Sequence, residues 1–281
     1  MKTHEDEAND LNEVRIEACI VNHNTSEFAE LAVRTLAATH ADWLSSGRLG
    51  ATVVDNHSTD QGLTDVKAAC RELDVRFRQS AWPAAQAPVN THGDVLRDFV
   101  VGHEAATHFL FIDTDVYFLA QDTVGVMLAE LASRPDVWAM QARFAWAEEN
   151  RGLGSSLTVE AGPTQQLWAN IDGASVGPFA GPYKPRCHPA LALVPNTAAF
   201  RKVADIIGLS AALIIAADPS TAGFADTFGL ASLVMQTHGL RYALSEVTVG
   251  HYYGVSYEDS DQPVAGKIVD CRQRLAELRS A

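Results

Sequence analysis

The stretch HFLFIDTDVYF, His108 to Phe118, decides the fold. His108 to Ile112 is an almost wholly apolar run, and so short a run bounded by polar residues reads as a buried strand. It ends in two aspartates, Asp113 and Asp115, flanking Thr114. Residues two apart on a strand point the same way, so both carboxylates can share one divalent ion at the strand end. Oxygen ligands select hard cations such as Mg²⁺ or Mn²⁺. A solvated loop presents the same D-x-D spacing, and it is the place at the end of so apolar a strand that favours the ion.

Working outward, short apolar runs alternate with helical periodicity. Ile16 to Val21 (IEACIV) reads as a buried strand, Asn22 to Thr25 as a polar turn, and Ser26 as the start of a helix reaching His40. Phe28, Leu31, Thr35 and Leu36 share one face of that helix. Ala51 to Val54 is a second strand. Asp60 or Thr64 is placed to cap the next helix, where Leu63, Val66, Cys70 and Leu73 recur every three or four residues. A third strand is expected at Val75 to Phe77 and a helix at Gly93 to Ala106. Beyond the central run, Gln121 to Ser133 reads as a helix and Val137 to Gln141 as a strand.

This alternation predicts an α/β fold of parallel βαβ units with right-handed crossovers. In such sheets ligands bind beyond the carboxyl ends of the strands. The polar residues there are Asn22 to Asn24, Asp55 with Asn56, and Asp113 to Asp115. Within VVDNHSTD, Val53 to Asp60, Asp55 has two readings. It can accept from a base N–H or a ribose hydroxyl, or it can cap an Asx-turn between strand and helix.

The texture changes between about 144 and 187, where Gly, Pro, Ser and aromatic residues crowd together with little periodicity. A long irregular loop is expected, and loops of that length are usually functional or disordered. Trp146, Trp168 and Tyr183 either stack on a ligand ring or anchor the loop to the core. Ala190 to Val194 is a strand. Ile206 to Ala217, between Asp205 and Asp218, is too short to span a bilayer and reads as a buried helix. Asp226 precedes an amphipathic helix bearing Phe228, Ala231, Leu233, Val234 and Met235, which Gly239 ends; it is either the helix cap or a base for a hydroxyl group. His251, in VGHYYGVSY, is either a packed residue or a ligand.

Bulk properties narrow the function. A net charge of −14 over 281 residues argues against nucleic acid and anionic membranes as partners. Such a protein repels phosphates, and a bound divalent cation would relieve that locally. Four widely spaced cysteines indicate neither zinc nor a disulfide framework. The acidic, polar start predicts a disordered tail over residues 1 to 14 rather than a signal peptide, hence a cytoplasmic protein. No linker divides the remainder, so a single domain is expected.

In order along the chain, VNHNT (from Val21), VVDNHSTD, FIDTDV (from Phe111), an aspartate ahead of an amphipathic helix, and VxHxxGxS (from Val249) resemble the motifs of family 2-like GT-A glycosyltransferases. THGDVL, Thr91 to Leu96, is similar to the segment preceding the D-x-D strand in those enzymes. The resemblance runs from about Ile16 to Ser256 and implies a GT-A type, single Rossmann-like domain with a mostly parallel central sheet flanked by helices. It implies a nucleotide-sugar-binding half over residues 15 to 143 and an acceptor-binding half over residues 144 to 281. Asn22, Asn24, Asp55, Asn56, His92 and Asp113 would bind the nucleotide sugar, with Asp55 on the base and Asp113 on the ribose. Asp115 and His251 would hold Mn²⁺ or Mg²⁺, and Asp226 would be the general base of an inverting transfer. One position departs from the pattern, since Ala225 precedes Asp226 where glutamate is usual.

A UDP-sugar donor is the first expectation, with a small-molecule, peptide or glycan acceptor; the oligomeric state stays open, a homodimer included. A nucleotidyltransferase is disfavoured, because VNHNTSEF (Val21 to Phe28) contains neither glycine nor lysine for a phosphate loop. No G-x-G-x-x-G follows the first strand, which excludes a Rossmann dehydrogenase. A non-catalytic nucleotide-sugar-binding subunit would be expected to have lost one of the acidic positions, and all are filled.

Overall fold

β1 (Ile16–Asn22) and β4 (His108–Asp113) lie side by side in parallel at the centre of the protein, both almost fully buried. The computed structural model describes residues 14–82, 88–145, 165–171, 174–181, 186–216, 223–255 and 264–280. Between the two central strands come α1 (Ser26–Thr39), α2 (Ala41–Ser45), β2 (Leu49–Asp55), α3 (Leu63–Glu72), β3 (Arg76–Gln79) and α4 (Pro88–Gly102). After β4 come β5 (Val116–Tyr117), α5 (Thr123–Ala132), β6 (Val137–Ala145), β7 (Gln165–Ile171), β8 (Ala174–Gly181) and β9 (Leu191–Pro195). The chain continues through α6 (Ala198–Ile206), β10 (Ala212–Ala216), β11 (Gly223–Ala225), α7 (Gly229–Thr237), β12 (Arg241–His251) and α8 (Val264–Ser280).

The main sheet has the order β3-β2-β1-β4-β9-β6-β12-β5. It is mostly parallel, with β9 running against both its neighbours and β5 against β12. Alternation of side chains divides it into two cores. Cys19, Val21, Phe109, Phe111, Ala192 and Val194 face one way, under α4, α6 and α7. Ile16, Ala18, Ile20, Leu110, Ile112, Leu191 and Leu193 face the other, under α1, α3 and α5. Burial on both faces is why these strands are continuous apolar runs. The expected α/β architecture with a mostly parallel sheet flanked by helices is the one observed.

Several local expectations are corrected. Ile206 to Ala217 is not a buried helix: α6 ends at Ile206, which is 62% exposed. Gly208 then takes a left-handed φ of 86°, and residues 212–216 form β10, paired with β7. An apolar run of that length fits either element, and pairing with a distant strand decides it. The segment around 144–187 is not wholly irregular, because β7 and β8 form an antiparallel pair. With β10 and β11 they make a second, four-stranded sheet. Neither Asp60 nor Thr64 caps α3, which starts after Gly62 with no side-chain cap. The Asp60 carboxylate accepts instead from Ser26 N at 3.0 Å and Ser26 Oγ at 2.7 Å, because the turns after β1 and β2 lie side by side. Nor does Asp226 occupy the cap position of α7, where Phe228 sits at φ 66°. The other boundaries shift by a few residues, most at α4, which begins at Pro88, and β6, which runs on to Ala145. Val14 aside, the acidic tail lies outside the described residues, as do Trp146, Tyr183 and Ser256.

Candidate active site

β1, β2, β4, β6 and β12 all run the same way, so their carboxyl ends share one edge of the sheet. Asn22 closes β1 in register with Asp55 at the end of β2. Asp113 closes β4, and His251 closes β12 opposite Val116. The fold thus gathers chemistry from four separate stretches of chain.

At the centre of that edge, Asp113, Asp115 and His251 each offer a ligand atom, all within 4.8 Å of one another. His251 Nε2 lies 3.1 Å from Asp115 Oδ1, and both residues are buried. Tyr252 N donates to the Asp115 carbonyl at 2.9 Å, tying β12 to the loop that carries the aspartates. Two carboxylates and an imidazole form a donor set suited to a divalent ion such as Mn²⁺, which accepts oxygen and nitrogen together.

The electrostatics follow from this crowding. Burial raises the pKa of Asp113, and Asp115 and Asp226 add to the rise, against the opposing pull of His92 and His251. Burial also works against the charge on Asp115, but the His251 ring beside it prevails and holds its pKa below the usual carboxylate value. For His251 burial is likewise outweighed, by Asp115 and then Asp113, and its pKa is raised. Without an ion, each of Asp115 and His251 therefore favours the charged form of the other.

The loops after β1 and β2 are fastened together. Asn22 Nδ2 lies 2.9 Å from Ser26 Oγ and 3.0 Å from both Asp55 Oδ1 and Ser58 Oγ. Asp55 Oδ2 accepts from Gln79 Nε2 at 3.0 Å and Ser58 N at 3.3 Å. Asn22 and Asp55 are thus buried in a network that shapes the loops. Asn24 is exposed, has φ 55°, and accepts from Thr59 N at 2.8 Å. Asn56 donates to Thr91 Oγ1 at 2.7 Å, reaching α4. On that helix His92 lies 3.6 Å from Asp113 Oδ1 and 3.5 Å from Thr227 Oγ1, linking the aspartate pair to the Asp226 region. Gly93 permits this position, because a Cβ there would collide with the backbone of Leu209 and Ser210.

Asp226 is part-exposed, with Oδ2 accepting from Arg186 Nη2 at 2.7 Å and Oδ1 from Thr227 N at 2.8 Å. Arg186 Nη1 also donates to the Thr227 carbonyl at 2.7 Å. Sequence reasoning missed Arg186, and it missed His188. Burial, with help from Arg186 and His251, holds the pKa of His188 well below the ordinary histidine value. Its Nδ1 accepts from Ala190 N at 3.1 Å, so the ring is neutral with its proton on Nε2. Its ring centre lies 6.3 Å from that of His251. Neither residue stands in a periodic pattern or a motif, so no sequence signal marked them.

No family model matches the chain, and no curated protein matches it in sequence. The fold has clear counterparts among solved structures. The mannosyltransferase PcManGT from Pyrobaculum calidifontis, in complex with GDP-Man and Mn²⁺, is 13% identical with a TM-score of 0.54, and the match covers 94% of this chain and 62% of that one. The crystal structure of S. aureus TarS 1-349 matches at 16% identity and a TM-score of 0.51, covering 94% of this chain and 70% of that one. Its complex with UDP gives 15%, 0.52, 94% and 70%. The chain thus has the GT-A glycosyltransferase fold and spans 62 to 70% of the length of these structures.

Proposed function

We propose that this protein is a metal-dependent glycosyltransferase that moves a sugar from a nucleoside-diphosphate sugar to an acceptor. The observation that carries the reading is the convergence of Asp113, Asp115 and His251 at the carboxyl edge of a GT-A sheet. Asp115 and His251 would hold Mn²⁺ or Mg²⁺, with Asp113 beside them for the ion or the ribose. The ion would supply Lewis-acid stabilisation of charge developing on the departing diphosphate. Residues 15 to 143 would bind the donor, with Asn22 and Asp55 holding the loop shape and Asn24, Asn56 and His92 around them. Residues 144 to 281 would bind the acceptor, with Trp168 on β7 in that half. Asp226 would take the proton of an acceptor hydroxyl in an inverting transfer, its position set by Arg186. A UDP-sugar is the first donor to test. No described helix is long and apolar enough to cross a membrane.

Thermal unfolding with UDP, GDP, dTDP, CDP and ADP, each with and without Mn²⁺, tests the donor site. A ligand at a hundred times its Kd adds about 2.7 kcal/mol. For a chain of this length that corresponds to roughly 5–10 °C in midpoint. One nucleotide is expected to give that shift only with the ion; no shift with any of them would sink the reading.

The coupling of His251 to Asp115 makes metal binding depend on pH. An ion binding at His251 must displace its proton. Because that pKa is raised, Mn²⁺ affinity should climb by up to about tenfold per pH unit below it and level off above it. Calorimetry in buffers of different ionisation enthalpy will measure the released proton; flat affinity from about pH 6 to 8 would remove His251 from the ligand set. The contribution of His251 to the stability of the ion-free protein runs the other way. It is complete below its unfolded value of about 6.5 and is lost as pH rises through the raised folded value. That of Asp115 is present above about 3.9 and is lost as pH falls through its depressed folded value.

A further inference from the structure

The C-terminal helix brings a cation to this site that no motif announced. α8 is anchored across α1: Arg272 reaches both carboxylate oxygens of Glu27 at 2.7 Å, and Arg279 pairs with Glu30 at 2.5 Å and Asp65 at 3.2 Å. Cys271 and Leu275 pack against Phe28, Leu31 and Tyr252. The Tyr252 hydroxyl donates to Asp270 at 2.5 Å. This anchoring holds Lys267, in the first turn of α8, beside the strand end that carries His251.

Lys267 is only 8% exposed. Among the described residues its ammonium donates one hydrogen bond, to the Tyr253 carbonyl at 2.5 Å, and no carboxylate lies within ion-pair distance. An ammonium has three donors, and burying one without an anion is unfavourable. The charge is felt at the metal group: it favours the Asp115 carboxylate and disfavours the His251 imidazolium. Burial lowers the pKa of Lys267, while Asp115 opposes the fall.

Resting on the donor reading above, we propose that Lys267 is a diphosphate-binding residue, whose two remaining N–H donors meet the phosphate oxygens of the nucleotide as they approach the Asp113, Asp115 and His251 group. A phosphate oxyanion supplies a counter-charge at ion-pair distance that Lys267 does not have among the described residues. The lysine gives this acidic protein a second positive centre for the leaving group, fixed in advance by helix packing rather than recruited during the reaction.

Inorganic pyrophosphate is the probe, since it tests the subsite without knowing the base. Calorimetry with Mn²⁺ present should show pyrophosphate binding weakened tenfold or more in Lys267→Met. Manganese binding alone, followed by electron paramagnetic resonance, should be unchanged or tighter, because a positive neighbour of Asp115 has gone. Lys267→Arg should restore part of the pyrophosphate affinity. Lys267→Gln, which keeps a donor for Tyr253, gives the same comparison should the methionine variant fold poorly. Equal pyrophosphate affinity in wild type and variants, or a parallel loss of Mn²⁺ binding, would show Lys267 to be a support for the helix and overturn the inference. A wild-type protein that binds neither pyrophosphate nor any nucleoside diphosphate with Mn²⁺ would instead overturn the donor reading.

Discussion

Asp115→Asn is expected to abolish Mn²⁺-dependent nucleotide binding and to lower transfer by about 10³-fold or more. Asp115 is the carboxylate that the site keeps charged, since His251 holds its pKa down against burial. Asparagine retains the volume and one acceptor oxygen but removes the anion. Losing only an outer partner of a metal ligand costs about 10–100-fold in affinity, so losing a ligand should cost at least the upper figure. Lewis-acid stabilisation is worth several kcal/mol, and each 1.36 kcal/mol is tenfold in rate. The variant also takes from His251 its nearest counter-charge, so the ring should become neutral at lower pH. Spin-resonance titration with Mn²⁺ and the nucleotide melting panel measure both consequences. Undiminished Mn²⁺ affinity would place the ion elsewhere and leave the Asp115 pair as structural.

Asp226→Asn should separate binding from chemistry. The side chain is part-exposed, near Asp113, and fixed by Arg186 and the Thr227 N–H. Asparagine keeps one acceptor oxygen, which can face Arg186 at the expense of the Thr227 N–H bond; since that site is part-exposed, the donor-induced melting shift should survive. What it cannot do is take a proton from an acceptor hydroxyl, and general-base assistance contributes about 10²–10⁴-fold. Transfer to the true acceptor should fall by that factor with little change in donor affinity. Full turnover would move the base role to another residue; loss of donor binding would mean that the Arg186–Asp226 pair shapes the donor pocket instead.

How far the sequence carries can be judged from particular elements. IEACIV and HFLFI were legible as central strands, because a strand buried on both faces must be apolar throughout. DTD was legible because a strand end in a parallel sheet is an edge open to ligands. Asp60 was misassigned to its own helix, since its partner, Ser26, is remote in sequence and local capping statistics cannot see it. Ile206 to Ala217 was misassigned for a related reason: whether an apolar run coils or pairs depends on whether a partner strand is present, and β7 lies some forty residues earlier. Arg186, His188 and Lys267 carry no periodic or motif signal, because each acquires its surroundings from chain segments that approach only on folding.

By itself, then, the sequence determined the α/β class, the central strands and the identities of the acidic residues at their carboxyl ends, all of which follow from local hydrophobicity and the period of two. The tertiary structure alone decided that β9 runs antiparallel between β4 and β6, that a second sheet exists, and that His251 meets Asp115. It alone set an arginine on Asp226 and a buried lysine near the metal group. Strand direction, ion pairing and pKa depend on distances between remote segments, and those distances exist only once the two cores have packed.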